Sequence, residues 1–242
     1  MRFFFALLLL LAVPPARAET PELLAEAIRK VAADFEHWAY TQTTVTRNRK
    51  GRVEEERVVR YDPSQPYEVQ WTLITVDGKP ATGREVKQHR REMEKRMKER
   101  RSLGELLVLD RATIAAETPE VVVFEVPLVQ DGNQRLPPEK FQVLARVNRE
   151  KRALEQISVK VRSSLRVAVV VNVKSGGAEL DFATVEPRHS PAVTNIRAEG
   201  TASIMFVRVG GSYTATRTDF KRVTPYSERF QVKVGPLKAI DF

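Results

Sequence analysis

The segment Ile196-Arg-Ala-Glu-Gly-Thr-Ala-Ser-Ile-Met-Phe206 decides the fold class, because its apolar and small residues occupy every second position. Successive side chains of a β-strand point to opposite faces of the sheet, so a period of two predicts a strand with one face toward a core. Ala198, Gly200 and Ala202 make that face unusually small. Such a face either admits a helix at close range or leaves a concavity open for a ligand.

The same alternation continues on both sides of this segment. We predict strands at residues 43–48, 52–61, 67–73, 121–128, 141–148, 153–162, 165–174, 178–185, 196–206, 213–223 and 230–234. Short polar or glycine-containing stretches separate them, and we predict reversals at 49–51, 131–133, 148–151, 175–177 and 210–211. Connections this short make neighbouring strands antiparallel. The fold class is therefore mainly antiparallel β with two helices (α+β), a curved sheet or half-open β-barrel of about 10 or 11 strands.

An amphipathic helix precedes the strands. Its apolar residues recur at spacings of three and four and fall on one stripe, namely Leu24, Ile28, Val31, Phe35 and Trp38. Thr20 and Pro21 have the residue types of an N-cap and a first helical position. We predict a helix over residues 21–38 that packs its apolar face on the sheet.

A second helix is predicted over residues 83–101, inside the run of strands. Thr82 and Glu85 have the spacing of a capping box at its start. The helix carries nine Lys or Arg against four Glu, and Val86, Met93 and Met97 form only a narrow apolar edge. We expect it on the surface of the sheet or over its rim.

Residues 1–18 have the pattern of a cleaved signal peptide. Arg2 precedes an apolar run from residue 3 to 13, and Ala16-Arg17-Ala18 supplies the small residues that signal peptidase requires. The mature chain is expected to begin at Glu19 as one domain, 19–242, in the bacterial periplasm. The chain contains no cysteine, which excludes disulfides, a thiol nucleophile and an N-terminal lipid anchor. No further segment reaches membrane-spanning length, so no membrane span is expected.

Catalytic motifs are missing from the sequence. His37, His89 and His189 do not have metal-ligand spacing, and His89 falls on the basic helix. No nucleophile elbow, phosphate loop or dinucleotide fingerprint is present. We therefore expect no catalytic residue, no metal and no cofactor, and a protein that is not an enzyme.

The order of elements resembles a known family. A signal peptide, an amphipathic helix, a hairpin, a Trp71-bearing strand ending at Asp77-Gly78, a helical insertion and an antiparallel meander are similar to the periplasmic lipoprotein carriers of the LolA/LolB type and their lipid-carrying relatives. The resemblance implies a half-open β-barrel whose apolar hollow is covered by helices and shelters acyl chains. The missing cysteine corresponds to the soluble-carrier branch.

Two groups of residues are candidates for such a carrier. The hollow is expected to be lined by Val69, Trp71, Ile204 and Phe206. On the basic helix, the expected contacts with an anionic headgroup or an acidic partner are Arg90, Arg91, Met93 and Met97. A mixed-charge helix is also typical of a plain solvated face, and that alternative stays open.

Two other functions remain as alternatives to the lipid or lipoprotein carrier. The second is a structural or adaptor protein of the cell envelope that binds another envelope protein and no small ligand. The third is a hydrolase without a recognisable motif. Nucleic acid is not expected as a partner, although the formal net charge is +9, because no aromatic platform lies between the charges. A monomer is expected.

Overall fold

The computed structural model describes residues 20–98, 101–130, 137–168, 171–204 and 207–230. The α-helices in these ranges are α1 (Thr20–Asp34), α2 (Gly83–Lys98) and α3 (Leu103–Leu106). The predicted signal peptide, the reversal at 131–133 and residues 231–234 of the last predicted strand lie outside the described residues.

Within these ranges, twelve strands form one antiparallel sheet. They are β1 (Trp38–Asn48), β2 (Val53–Tyr61), β3 (Trp71–Val76), β4 (Lys79–Pro80), β5 (Thr113–Glu117), β6 (Val121–Glu125), β7 (Phe141–Asn148), β8 (Ala153–Val161), β9 (Leu165–Ala168), β10 (Val171–Ala183), β11 (Ala192–Ile204) and β12 (Val207–Arg222). Their order across the sheet is β4-β3-β2-β1-β12-β11-β10-β8-β7-β6-β5, with β9 paired to β10. The predicted fold class is confirmed: the structure is mainly antiparallel β, with an open sheet and helices packed on it.

The first core lies between α1 and the strands on one side of the sheet. Leu24, Ile28 and Val31 of α1 are buried, as the helical stripe predicts. The helix packs on β7 and β8, whose buried residues include Val147 and Leu154. Each largely buried Leu, Ile or Val side chain stabilises the fold by about 1.5–3 kcal/mol relative to an exposed one.

A second core of aromatic side chains lies around β1, which pairs with β2 on one side and with β12 on the other. Trp38, Tyr40 and Tyr61 are each only 2% exposed. Tyr40 packs between Tyr61 and Phe220, with ring centroids 5.1 and 5.7 Å away. Trp71 extends this cluster, since its ring centroid lies 4.4 Å from that of Tyr61.

The N-terminal helix ends four residues earlier than predicted. After Asp34 the chain forms a 3-10 turn, Phe35–His37, and Trp38 already belongs to β1. Asp34 accepts hydrogen bonds from the backbone N–H of Ser190, at 2.9 Å, and from the guanidinium of Arg222, at 2.6 Å. These tertiary bonds fix the end of the helix. Trp38 is buried in the aromatic core as a strand residue, and not on the apolar stripe of the helix.

Two predicted reversals are wrong. The chain passes through 175–177 and 210–211 without turning, because β10 and β12 are continuous there. In the sheet these glycines allow close approach: a Cβ at Gly176 would lie 2.9 Å from the carbonyl oxygen of Glu199 on the neighbouring strand. The predicted strand at 165–174 is instead a hairpin, since Leu165 of β9 pairs with Val173 of β10.

The basic helix begins as predicted and covers the rim of the sheet. The backbone N–H of Thr82 donates to Glu85 Oε2 at 2.7 Å, and that of Glu85 donates to Thr82 Oγ1 at 3.4 Å, so the capping box is confirmed. The helix then packs on β3 and on the 3-10 turn Tyr67–Val69 before it. A second capping box, Ser102 with Glu105, begins α3 and was not predicted.

Candidate ligand site between the basic helix and the sheet

A pocket of about 380 Å³ lies where α2 crosses the start of β3. This volume is at the lower end of the range for small-molecule sites, about 300–1,000 Å³. Its lining comes from the 3-10 turn Tyr67–Val69, from β3 and from one face of α2. The lining residues are Tyr67, Glu68, Trp71, Arg90, Met93, Glu94, Met97 and Lys98. The pocket thus combines half-buried Trp71, Met93 and Met97 with charged residues that are exposed to solvent.

The helix spacing explains why these side chains meet. Arg90, Met93 and Met97 are three and four residues apart, so they share one face of α2. Glu94 and Lys98 are four residues apart and border the same face. One helical face therefore supplies both the apolar wall and the charges of the pocket.

An ion pair fastens α2 to the sheet beside the pocket. Arg57 of β2 contacts Glu55 Oε1 at 2.8 Å and Glu92 Oε2 of α2 at 3.3 Å. Burial lowers the pKa of Arg57, but its bonds to these two carboxylates raise it overall, so the guanidinium stays charged. Glu92 also accepts a bond from Gln88 at 3.1 Å, and this bond and Arg57 hold the pKa of Glu92 below its usual value of 4.5.

His89 is buried where α2 meets the sheet. Its side chain is 5% exposed, and neither Nδ1 nor Nε2 has a hydrogen-bond partner within the described parts of the chain. Burial lowers the pKa of His89 below 6.5, the positive charges of Arg57 and Arg96 lower it further, and Glu92 opposes them. The imidazole is therefore neutral at neutral pH, and α2 has a packed anchor that its charged sequence did not indicate.

Trp71 forms the aromatic wall of the pocket and carries an unpaired donor. Its indole Nε1 is buried and meets no acceptor among the residues described. A buried N–H without an acceptor costs about 1–3 kcal/mol. The indole ring of Trp71 supplies a large rigid apolar surface to the pocket.

Members of both predicted groups, the hollow residues and the headgroup contacts, line the same pocket. Trp71, expected in the hollow, lies in one pocket with Arg90, Met93 and Met97, expected to contact a headgroup. Arg91 is exposed and does not line this pocket.

The other hollow residues lie elsewhere. Val69 is 39% exposed and belongs to the 3-10 turn, because β3 begins only at Trp71. Ile204 is the last residue of β11, which β2, β1 and β12 separate from the pocket's strand β3, and Phe206 lies outside the described residues. The buried amide of Gln70 donates to the carbonyl oxygen of Gln65 at 3.0 Å, which stabilises the loop and delays the start of the strand.

Sequence reasoning missed four pocket residues, Tyr67, Glu68, Glu94 and Lys98, of which Tyr67 is the aromatic one. It is 60% exposed, and its ring packs edge-on against that of Tyr226, with centroids 5.6 Å apart. The strand prediction placed Tyr67 on the same face as Trp71. The neighbouring Pro66 and Pro63 were the signals available for an irregular turn at this position.

A larger cleft of about 850 Å³ lies over the centre of the sheet. The strand register places Gly176, Gly200 and Gly211 side by side beneath it. The small residues of β11 therefore border an open cleft, one of the two outcomes that the sequence allows. Charged side chains line it, among them Arg197, which pairs with Glu179 at 3.1 Å. This polar lining suits an apolar chain less well than the pocket at Trp71 does.

The histidines have packing or ion-pair contacts. His37 Nε2 lies 3.0 Å from Glu228 Oε1, and His189 packs edge-on against Trp38 at a centroid distance of 5.7 Å. Across the described ranges, no three His, Asp or Glu side chains are grouped so that they could hold a metal ion.

Comparisons with protein-family models, with curated proteins and with solved structures each give no match. In the part of the chain that the structure describes, no helix is long and apolar enough to cross a membrane. The pocket between α2 and β3 is thus characterised by its own geometry and chemistry.

Proposed function

We propose that this protein is a non-catalytic carrier that binds one acyl chain of a lipid or lipoprotein in the pocket between α2 and β3. The observation that carries the proposal is that the half-buried side chains Trp71, Met93 and Met97 line one pocket with the exposed Arg90. Methionine side chains adapt to flexible apolar ligands, and tryptophan offers a large rigid apolar face. The signal-like sequence at 1–18 supports a carrier that is exported to the bacterial periplasm.

The charges at the rim favour a ligand with an anionic head. Arg90 and Lys98 line the pocket together with Glu68 and Glu94, and all four are exposed to solvent. A guanidinium binds a carboxylate or phosphate in a bidentate manner, whereas an acidic side chain repels it. We expect the headgroup to lie toward Arg90 and the chain toward Trp71.

Displacement of a fluorescent fatty acid tests the proposal. Replacing both methionines, Met93→Gln and Met97→Gln, exchanges apolar wall for polar groups while keeping good helix formers, and should weaken binding at least about tenfold. The matched control is Ile74→Gln, at an exposed β3 position outside the pocket lining, which should leave affinity unchanged.

Arg90→Glu tests the polarity of the bound ligand. It should weaken binding of the fatty acid much more than binding of its uncharged methyl ester. If the unaltered protein binds neither ligand, and native mass spectrometry finds no lipid retained on purification, the carrier proposal fails.

A further inference from the structure

We propose that the projecting end of β9–β12 is a contact surface for an anionic lipid membrane. The last pair between β1 and β12 is Asn48 with Gly211, so the segment of β12 from Val207 to Gly210 extends past the end of β1. We define the projecting end as 165–168, 171–173, 202–204 and 207–209. It is separate from the acyl-chain pocket, and the inference does not depend on the proposed function.

The strand register gives this end two faces of different chemistry. One cross-strand row consists of Leu165, Val173, Ala202 and Val209. The next row consists of Arg166, Asn172, Ser203 and Arg208. Adjacent rows point to opposite faces of a sheet, so one face of the projecting end is apolar and the other is polar and basic.

The apolar face is open to solvent at β12. Val207 is 65% exposed and Val209 is 37% exposed, and Val207 is the most exposed of the large hydrophobic residues described. Exposed apolar side chains gathered at one end of a sheet are typical of an interaction surface and costly to leave in water.

The surrounding charge identifies the partner. Residues 47–52, 165–174 and 201–209 together contain seven Lys or Arg and no Asp or Glu. Arg166, Arg208 and the β1–β2 turn residue Lys50 are exposed. The valines of one face can enter the acyl boundary while the arginines of the opposite face attract acidic headgroups, which fits a lipid surface. A nucleic acid would leave the valines in water.

Vesicle flotation of the full chain tests this surface. The vesicles are phosphatidylcholine alone, or equal parts of phosphatidylcholine and phosphatidylglycerol. The apolar run at residues 3–13 is common to all variants, so differences between variants report on the projecting end alone. Val207→Asp with Val209→Asp should weaken the partition into the mixed vesicles at least about tenfold.

Charge reversal tests the electrostatic part. Each cation near an anionic surface contributes about fivefold to partition, so Arg166→Glu with Arg208→Glu should cost at least roughly thirtyfold on the mixed vesicles. On the neutral vesicles it should cost little. Added salt should reduce this difference, because it screens exposed charges.

Matched controls lie away from the projecting end. Ile114→Asp, on edge strand β5, and Lys151→Glu, in the turn between β7 and β8, should bind as the unaltered chain does. Val207→Ser with Val209→Ser keeps the strand uncharged and should also weaken binding if the aspartate pair fails to fold.

Three results would overturn the proposal. They are equal binding by the unaltered chain and the valine variants, an equal loss in the controls, and a dimer that the valine variants convert to a monomer. The last result would assign the surface to a second copy of the chain. Fatty-acid displacement is a separate assay, so failure at the pocket would not be mistaken for failure here.

Discussion

Gly211 lies where β12 passes the end of β1, opposite Asn48. A Cβ at this position would overlap the carbonyl oxygen of Arg47, a backbone atom that cannot rotate away. We expect Gly211→Ala to lower the free energy of unfolding by about 1–3 kcal/mol, the usual cost of overpacking. Chemical denaturation measures it.

Gly104→Ala is the matched control for this prediction. No heavy atom lies within 4 Å of a Cβ at Gly104, and the residue is in a helix, α3. Alanine there should leave stability unchanged or raise it by about 0.5–1 kcal/mol. Equal losses at both glycines would contradict the close approach at Gly211.

The same glycine shows what sequence reasoning could not resolve. A Gly-Gly pair between two alternating segments has the composition of a turn, and 210–211 was predicted as one. In the sheet the pair lies inside β12, where Gly210 and Gly211 each leave room for a neighbouring backbone. A Gly-Gly turn and a Gly-Gly pair inside a strand have the same local composition. Only the position of the distant strand β1 distinguishes the two structures.

At the scale of the element, attachment of α2 to the sheet should depend on pH through His89. The folded protein holds the pKa of His89 below 6.5, so the unfolded chain takes up the proton first as the pH falls. Stability should therefore be greatest above pH 6.5 and decrease below it until the folded pKa is reached, by at most about 1.4 kcal/mol per pH unit.

Denaturation curves between neutral and mildly acidic pH measure this effect. The groups that act on His89 are Arg57 on β2 and Glu92 and Arg96 on α2, and the carboxylate pKa lies below 4.5, outside the window. His89→Leu should abolish the decrease. An unaltered slope in that variant would assign the pH dependence to other groups.

The elements themselves were predictable in part, for a physical reason. Alternation places residues 141–148 and 153–161 correctly as strands, because each buries one face. The pocket was not predictable as a unit. Trp71 and Met93 come from separate predicted groups, and no local pattern indicates that α2 lies over β3.

At the scale of the whole molecule, one continuous sheet joins two cores. The chain has two tryptophans, and both Trp38 and Trp71 belong to the aromatic core. Leu24 is fully buried in the other core. Leu24→Ala should cost about 2–5 kcal/mol, and tryptophan fluorescence should show the same loss as far-UV circular dichroism.

Ala32→Ser, at an exposed position on the same helix, is the control and should shift neither signal appreciably. A fluorescence transition that stays in place while the circular dichroism transition moves would mean that the two cores unfold independently.

The pairing of the first strand with the last has a kinetic consequence. Trp38 pairs with Arg222, so the centre of the sheet closes only after nearly the whole described chain is available. Pairings between such distant residues give a high contact order and slow folding, on the scale of milliseconds to seconds for all-β domains of this kind. Until β12 arrives, one edge of β1 remains unpaired and able to associate with other chains. The order of synthesis therefore leaves the β1–β2 hairpin with an unpaired edge for the longest time. The rate at which β12 pairs with β1 determines how long the chain can aggregate through that edge.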